Sequence, residues 1–197
     1  MVNLTVLLMS LTFSRREGRS FAAVRLLGAV LTAESVLLLA SAAWRMTLYV
    51  EAYGLSFKRC MTYWGMGMMA AFLLAAAWKV WRPDFRFCRV VFPLALAGWL
   101  VINCVPVDCL VARDQVDRYL AGESAALDVE YLLYDLSYDT LSQLERLDGD
   151  LICRDWGDGG QTRLSTLLAE RRSQARSDCA SWQSWSLSAC LAAMGGE

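Results

Sequence analysis

The run from Cys60 to Trp78, CMTYWGMGMMAAFLLAAAW, holds nineteen residues and no charge. A soluble helix of that length needs a polar face to meet water, and this run has none. Its length matches the roughly 20 apolar residues that cross a hydrocarbon core. Two more stretches reach a similar length, so spans are expected at about 22–53, 60–81 and 89–107. Trp44, Tyr49, Tyr53, Tyr63, Trp64, Trp78, Trp81 and Trp99 stand mostly near their ends, the depth that amphipathic rings favour. The fold class expected is all-α and integral to a membrane, with about three transmembrane helices and an acidic extramembrane helical region after them.

Charge divides the chain in the same place. Before Val107 stand eleven basic and four acidic residues, a net +7; after it stand eight basic and sixteen acidic, a net −8. The basic residues of the first part sit beside the apolar runs. Arg15, Arg16, Arg19 and Arg25 precede the first, and Lys79, Arg82, Arg86 and Arg89 surround the turn between the second and third. Only Lys58 and Arg59 occupy the turn between the first two, offset by Glu51. The excess of Lys and Arg on cytoplasmic loops therefore predicts a cytoplasmic N-terminus and an extracytoplasmic C-terminal region.

Residues 1–13, MVNLTVLLMSLTF, are too short to span, and the basic segment SRREGRS follows them. A secretory signal has the reverse order of charge and apolar run. Residues 1–21 are read as an interfacial segment or the truncated end of a preceding span. From 108 to 197 the chain is expected to be mainly helical and outside the membrane. Val116, Tyr119 and Leu120, then Leu127, Tyr131 and Tyr134, follow helical spacing. A further helix is expected from Ser137 as N-cap through Leu141, Leu144 and Leu147, broken by the run Asp155–Gly160. TRLSTLLAERRSQARSD reads as a surface helix, and a last apolar segment lies around SWQSWSLSACLAAM. No strand-like alternation of useful length is evident.

The chain has no His, which excludes Ser-His and Cys-His nucleophilic pairs, a His base and a His-ligated metal. Its seven Cys form no C-x-x-C pair, so the spacing of a zinc site is missing. The acids after Val107 lack the spacing of a calcium loop. No phosphate loop, nucleic-acid patch or cofactor motif is recognisable. The Met cluster (Met61, Met66, Met68, Met69) reads as apolar filler, and Gly67, Ala71 and Ala75 as a small-residue packing stripe. If the C-terminal region is extracytoplasmic, at least one disulfide is expected among Cys109, Cys153, Cys179 and Cys190.

The candidate site residues are polar groups in or beside the spans: Glu34, Ser41, Arg45, Tyr49, Asn103 and Asp108. Glu34, Ser41, Arg45 and Tyr49 share one helical stripe, which is expected to face the second and third helices because charge exposed to lipid is costly. Glu34 and Arg45 are about 16 Å apart along one helix and cannot pair. Arg45 is expected to reach Asn103 or Asp108 instead.

The run WRMTLYVEAYGLSFKR (Trp44 to Arg59), the third helix ending near Asn103 and Asp108, the segment VARDQVDRYLAGESAALDVEYLLYDLSYDTLSQL and the closing SWQSWSLSACLA resemble a known family. It is the C-terminal portion of a bacterial multi-pass membrane family known only as domain of unknown function 4173. The matching positions are Arg45, Met46, Tyr49, Tyr53, Gly54, Leu55, Asn103, Asp108, Leu127, Asp128, Tyr131, Leu132, Leu136 and Ser137. The resemblance implies a membrane protein and no particular activity; family members are typically longer, with further spans upstream. The expected function is a non-enzymatic scaffolding or sensory component of the cell membrane. Its partners would be the lipid bilayer and other membrane helices or an extracytoplasmic protein, and not nucleic acid. The alternative is part of a transporter or channel with a polar path near Glu34 and Arg45.

Overall fold

The computed structural model describes residues 19–82, 85–124, 127–154 and 161–194. The expectations for residues 1–13, for Arg15 and Arg16, and for the run Asp155–Gly160 fall outside them. The fold is all-α apart from one short hairpin. It divides into two compact units, Met1–Tyr53 with Lys58–Val105, and Gly54–Phe57 with Pro106–Glu197.

The first unit contains three long helices, α1 (Arg19–Tyr53), α2 (Phe57–Trp81) and α3 (Phe87–Cys104). All three are long and apolar enough to cross a membrane. Each starts or stops within a few residues of the span expected from the sequence. The third ends at Cys104 and not Val107, because Val105 must turn extended (φ −83°, ψ 124°) before the Pro106 ring. Along the most apolar stretch of each helix, only 11%, 11% and 6% of residues are buried. Leu37, Phe92 and Trp81 remain 71%, 73% and 78% exposed. So much contiguous apolar surface is not stable in water, but in hydrocarbon it is ordinary surface.

Where these helices touch, small residues let them approach. Ala75, Ala76, Val80 and Phe87 form a buried cluster flanked by Leu31, Phe85 and Val91. Of the proposed stripe on α2, Ala75 is buried but Gly67 is exposed, and a Cβ there would meet nothing within 4 Å. The close approach is made by Gly98 of α3, where an added Cβ would collide with Met68 Sδ. Hydroxyls in the spans are satisfied locally: Thr32 and Ser35 donate to the carbonyls of Gly28 (2.7 Å) and Leu31 (2.8 Å), one turn back.

The second unit begins with α4 (Val107–Leu120), whose inner face carries Val107, Val111, Ala112 and Val116. The sequence suggested continuous helical spacing beyond Leu120, and the structure corrects this. Gly122 takes φ +75°, and the Gly122 and Glu123 amides bond back to Tyr119 and Arg118, ending the helix. Tyr131–Asp135 is a single π-helical turn. Ser137 does stand at a helix start, but it opens only a 3₁₀ turn (Tyr138–Thr140) and then a short α5 (Leu141–Leu144). Buried Thr140 holds this junction, its Oγ1 within reach of the carbonyls of Leu132 (2.9 Å) and Ser137 (3.1 Å).

Two strands, β1 (Ile152–Arg154) and β2 (Gln161–Arg163), pair antiparallel with Cys153 opposite Thr162. Three residues are too few for an alternating pattern to show, so the hairpin left no trace in the periodicity. Then come α6 (Leu164–Ala180), on the segment read as a surface helix, and α7 (Leu187–Met194). Leu132, Leu133, Leu144 and Leu164 are the largest apolar side chains wholly enclosed in this unit. Cys179 and Cys190 form a disulfide with their Cα atoms 5.1 Å apart, the bridge expected among the four late cysteines; Cys109 and Cys153 are free.

Overpacking by one methyl group should destabilise modestly where the neighbour is a flexible Met. Gly98→Ala is expected to cost about 1 kcal/mol, the low end for overpacking. Adding Met68→Ala to the same chain should recover most of that, measured by thermal unfolding in detergent. Strictly additive losses would refute the contact.

Candidate functional site

The polar stripe on α1 does not lie where the sequence placed it. The face turned inward carries Val24, Gly28, Leu31, Thr32, Ser35, Leu39, Ala43, Met46 and Val50, each buried or half-buried. Glu34, Ser41, Arg45 and Tyr49 are all exposed. At about 100° per residue, Glu34, Ser41 and Arg45 stand roughly opposite the inward seam. Helical spacing says which residues share a face and not which face meets a neighbour, and here the seam of small and apolar residues took the contact. Arg45 is not satisfied by Asn103 or Asp108, contrary to expectation. Asn103 is exposed and its Nδ2 donates to the Trp99 carbonyl at 2.6 Å. Asp108 lies in no span; it is in the first turn of α4, where Oδ2 accepts from the Ser137 amide at 3.1 Å. Among the described residues, neither Glu34 nor Arg45 makes a hydrogen bond or ion pair.

A polar constellation absent from the candidate site residues gathers around Leu55. The short segment Gly54–Phe57, between two apolar helices, belongs to the second unit. Asp114 Oδ2 accepts from the Leu55 amide at 2.8 Å, and Gln115 Nε2 donates to the Leu55 carbonyl at 2.9 Å. The Phe57 amide donates to the Tyr131 hydroxyl at 3.2 Å, while Asp128 Oδ1 accepts from the Tyr131 amide at 3.0 Å. Gly54 is buried with φ +74°, and a Cβ would meet the Arg118 side chain and Asp114 Oδ2 at 3.5–3.7 Å. Only glycine takes that conformation without strain. The signal available was the Tyr-Gly-Leu run between two spans: a positive-φ residue in a turn that short needs fixing from outside.

Further along the second unit, the Tyr138 hydroxyl donates to Asp178 Oδ2 at 2.5 Å, and the Arg171 guanidinium lies 4.4 Å from the Tyr138 ring centre. Burial pushes the Tyr138 phenol above the ordinary tyrosine range, and its bond to the Asp178 carboxylate adds to this; Arg171 opposes it. Burial likewise raises the Cys153 thiol, which keeps it from acting as a thiolate. A cleft of about 350 Å³ beside Tyr138 is lined by Leu141, Leu191 and Ala192 and by the ion-paired Glu145 and Arg172. Among the described residues no three of His, Cys, Asp or Glu converge as a metal site would require.

Three helices long and apolar enough to cross a membrane, followed by further helices, are consistent with a multi-pass membrane protein. The chain belongs to the family described as Domain of unknown function (DUF4153), whose model matches residues 1–147. That match carries the resemblance to an uncharacterised family; it does not extend to the family numbered 4173. No curated protein and no solved structure matches the chain.

Two outcomes are expected in thermal unfolding in detergent. Asp114→Ala strips the Leu55 amide of its acceptor and should cost about 1–3 kcal/mol, with Asp114→Asn milder because an oxygen remains. Exposed Arg113→Ala should change stability by less than about 0.5 kcal/mol. If the two Ala variants match, the clamp is not structural. The second outcome concerns alkaline pH. A phenol raised in the fold stabilises below its unfolded pKa, and that contribution is lost as pH rises through the folded one. The stability advantage of the wild type over Tyr138→Phe should therefore be full at neutral pH and shrink above about pH 10. A difference constant to pH 11 would contradict it.

Proposed function

We propose that the chain is a non-enzymatic membrane component, scaffolding or sensory, of the bacterial cell membrane. Its N-terminus is cytoplasmic, and its acidic second unit is extracytoplasmic and engages a protein partner there. The observation that carries this reading is the clamp on Leu55. Six of the residues quoted for the family resemblance (Gly54, Leu55, Asp108, Asp128, Tyr131 and Ser137) take part in hydrogen bonds or close contacts that fix the backbone. Such use of carboxylates suits a rigid platform better than acid–base chemistry. We take the same residues as grounds for kinship with the family numbered 4173.

The orientation has separate support. Basic residues on the turn between α1 and α2 would oppose an extracytoplasmic placement, but the Arg59 guanidinium lies over the rings of Tyr49 (4.7 Å) and Tyr53 (5.8 Å) and is held there. The turn between α2 and α3 carries Arg82, Arg86 and Arg89 among exposed residues, the pattern of a cytoplasmic loop. A disulfide in the second unit suits an oxidising compartment.

The test is accessibility to a membrane-impermeant thiol reagent in intact cells. Cys60, Cys88, Cys104, Cys109 and Cys153 are replaced, the bridged pair is kept, and a single Cys is introduced as Glu123→Cys or Arg86→Cys. Labelling is expected at 123 and not at 86. The reverse pattern would invert the topology and with it the extracytoplasmic partner.

A further inference from the structure

After Val107 the chain holds sixteen acids and eight bases, yet residues 180–196 hold neither, and no other uncharged run after Asp108 exceeds six residues. A stretch without charge can approach hydrocarbon without dehydrating an ion. This one also carries large apolar side chains that stay exposed. Trp182 and Trp185 are 86% and 59% exposed. On α7, Leu187, Leu191 and Met194 follow at i, i+4 and i+7 and share one exposed face, while Ala189 on the opposite face is buried.

Two features hold this face ready. The Cys179–Cys190 bridge closes the loop that carries both tryptophans, which limits how far their rings can stray from α7. The Ser186 hydroxyl accepts from the Ala189 amide at 3.2 Å and caps the helix, leaving fewer bare backbone donors at its start. The chain also fixes where α7 stands. Ser188, Leu191 and Ala192 line the cleft of about 350 Å³ together with Pro106. Pro106 follows the last residue of α3 by two positions, at most about 7 Å of chain. α7 therefore flanks a point one short step from the end of a helix that can span the membrane. Its eight residues make about 12 Å of helix, too short to cross a bilayer and long enough to lie along its surface. Exposed Trp and Leu at that depth suit the headgroup layer, where amphipathic rings sit between water and hydrocarbon.

We infer that α7 and the segment 182–185 before it lie in the headgroup layer of the bilayer, on the side where α3 ends, with Leu187, Leu191 and Met194 turned to the acyl chains. This rests on the membrane reading proposed above but not on which side is cytoplasmic. It gives the second unit a lipid contact besides its protein partner. Because no charge takes part, the contact holds at high salt and on neutral as well as anionic lipid.

Fluorescence quenching of the full chain in lipid nanodiscs, a single copy per disc, tests it. Cys60, Cys88, Cys104, Cys109 and Cys153 are replaced and the bridged pair is kept. A single Cys carrying an environment-sensitive dye is introduced as Met194→Cys, as Glu123→Cys for the water-facing control, or as Leu74→Cys for the lipid-facing control. The quenchers are iodide in the water and a phosphatidylcholine with a nitroxide high on its acyl chain. At 194 the nitroxide is expected to quench, and iodide to quench several-fold less than at 123, in neutral and anionic discs and at about 1 M salt alike. Trp182→Ser together with Trp185→Ser should return iodide access at 194 toward the value at 123. Thermal unfolding of that variant in detergent should be unchanged, since both rings are exposed. Full iodide access without nitroxide quenching at 194 would overturn the inference and open the face to a protein partner. Protection from iodide that appears only with two copies per disc would assign the face to a second copy and overturn it too, and so would quenching at 194 unmoved by loss of both tryptophans. Each of these leaves the membrane reading standing while the nitroxide quenches at 74; no quenching there would overturn that reading itself.

Discussion

The hydrogen bonds on both sides of Leu55 decide how the chain reverses between its first two apolar helices. A turn of three residues after Tyr53 leaves the last carbonyls of α1 and the first amides of α2 without helical partners. Water could satisfy them, but a turn that short also has to commit Gly54 to φ +74°. Asp114 and Gln115, adjacent on α4 and about 60 residues later, receive the Leu55 amide and carbonyl together. The bond to Asp114 is charge-assisted, roughly twice as strong as a neutral one. Tyr131 then takes the Phe57 amide while Asp128 fixes the start of its own turn. The turn is therefore part of the second unit in a physical sense: its conformation is specified by residues that come after all three apolar helices.

A different rule governs the three helices. Their side chains contribute little mutual burial, so the hydrophobic effect between them is weak, as it must be for helices solvated by lipid. What they show instead is close approach at Gly98 and the Ala75–Ala76 cluster, and polar groups satisfied by their own backbone. Thr47 and Thr62 repeat the one-turn-back bond of Thr32 and Ser35. Lys79 does something similar at the end of α2, its Nζ 3.4 Å from the Phe85 carbonyl. Glu34 and Arg45 depart from this pattern, and so does Tyr63, whose hydroxyl donates to Thr47 Oγ1 on α1 at 3.3 Å.

Much of this was legible in the sequence, and the rest was hidden for identifiable reasons. Length of apolar run located α1, α2 and α3 because hydrocarbon thickness leaves little freedom. Three boundaries stand three residues from expectation, at Arg19, Phe57 and Cys104, and the last needed Pro106 to be weighed against apolarity. Gly122 ends α4, but the regular spacing of Leu120, Leu127 and Tyr131 hides that break: Leu120 is the last residue of α4, Leu127 lies in no helix and Tyr131 opens the π-helical turn. The α1 stripe was grouped correctly and faced wrongly. Its orientation depends on where Gly28, Thr32 and Ser35 allow contact, a matter of volume that charge does not report. The Leu55 clamp joins residues about 60 positions apart, and nothing local at Asp114 or Gln115 distinguishes them from the other polar residues of α4.

The family match ends at Leu147, and within the second unit α7 is held by different means from the rest. Up to Leu147 and again in α6, the unit is built on buried leucines. By contrast, α7 has one wholly buried residue, Ala189, while Leu187, Leu191 and Met194 are 66%, 57% and 74% exposed. An eight-residue helix with so little burial does not offset the entropy of fixing its backbone. The Cys179–Cys190 bridge compensates by limiting the unfolded chain. Closing a loop of about a dozen residues removes roughly 3 kcal/mol of disorder, more than α7 gains by packing one alanine. The Tyr138–Asp178 bond adds a tie between α6 and the 3₁₀ turn inside the matched region. The segment beyond Leu147 is thus anchored through α6, which buries Leu164, Leu167, Leu168 and Ala175, and α7 is tied to α6 by the covalent link. Reduction of the bridge should release α7 first, leaving the clamp on Leu55 and the leucine core of the unit in place.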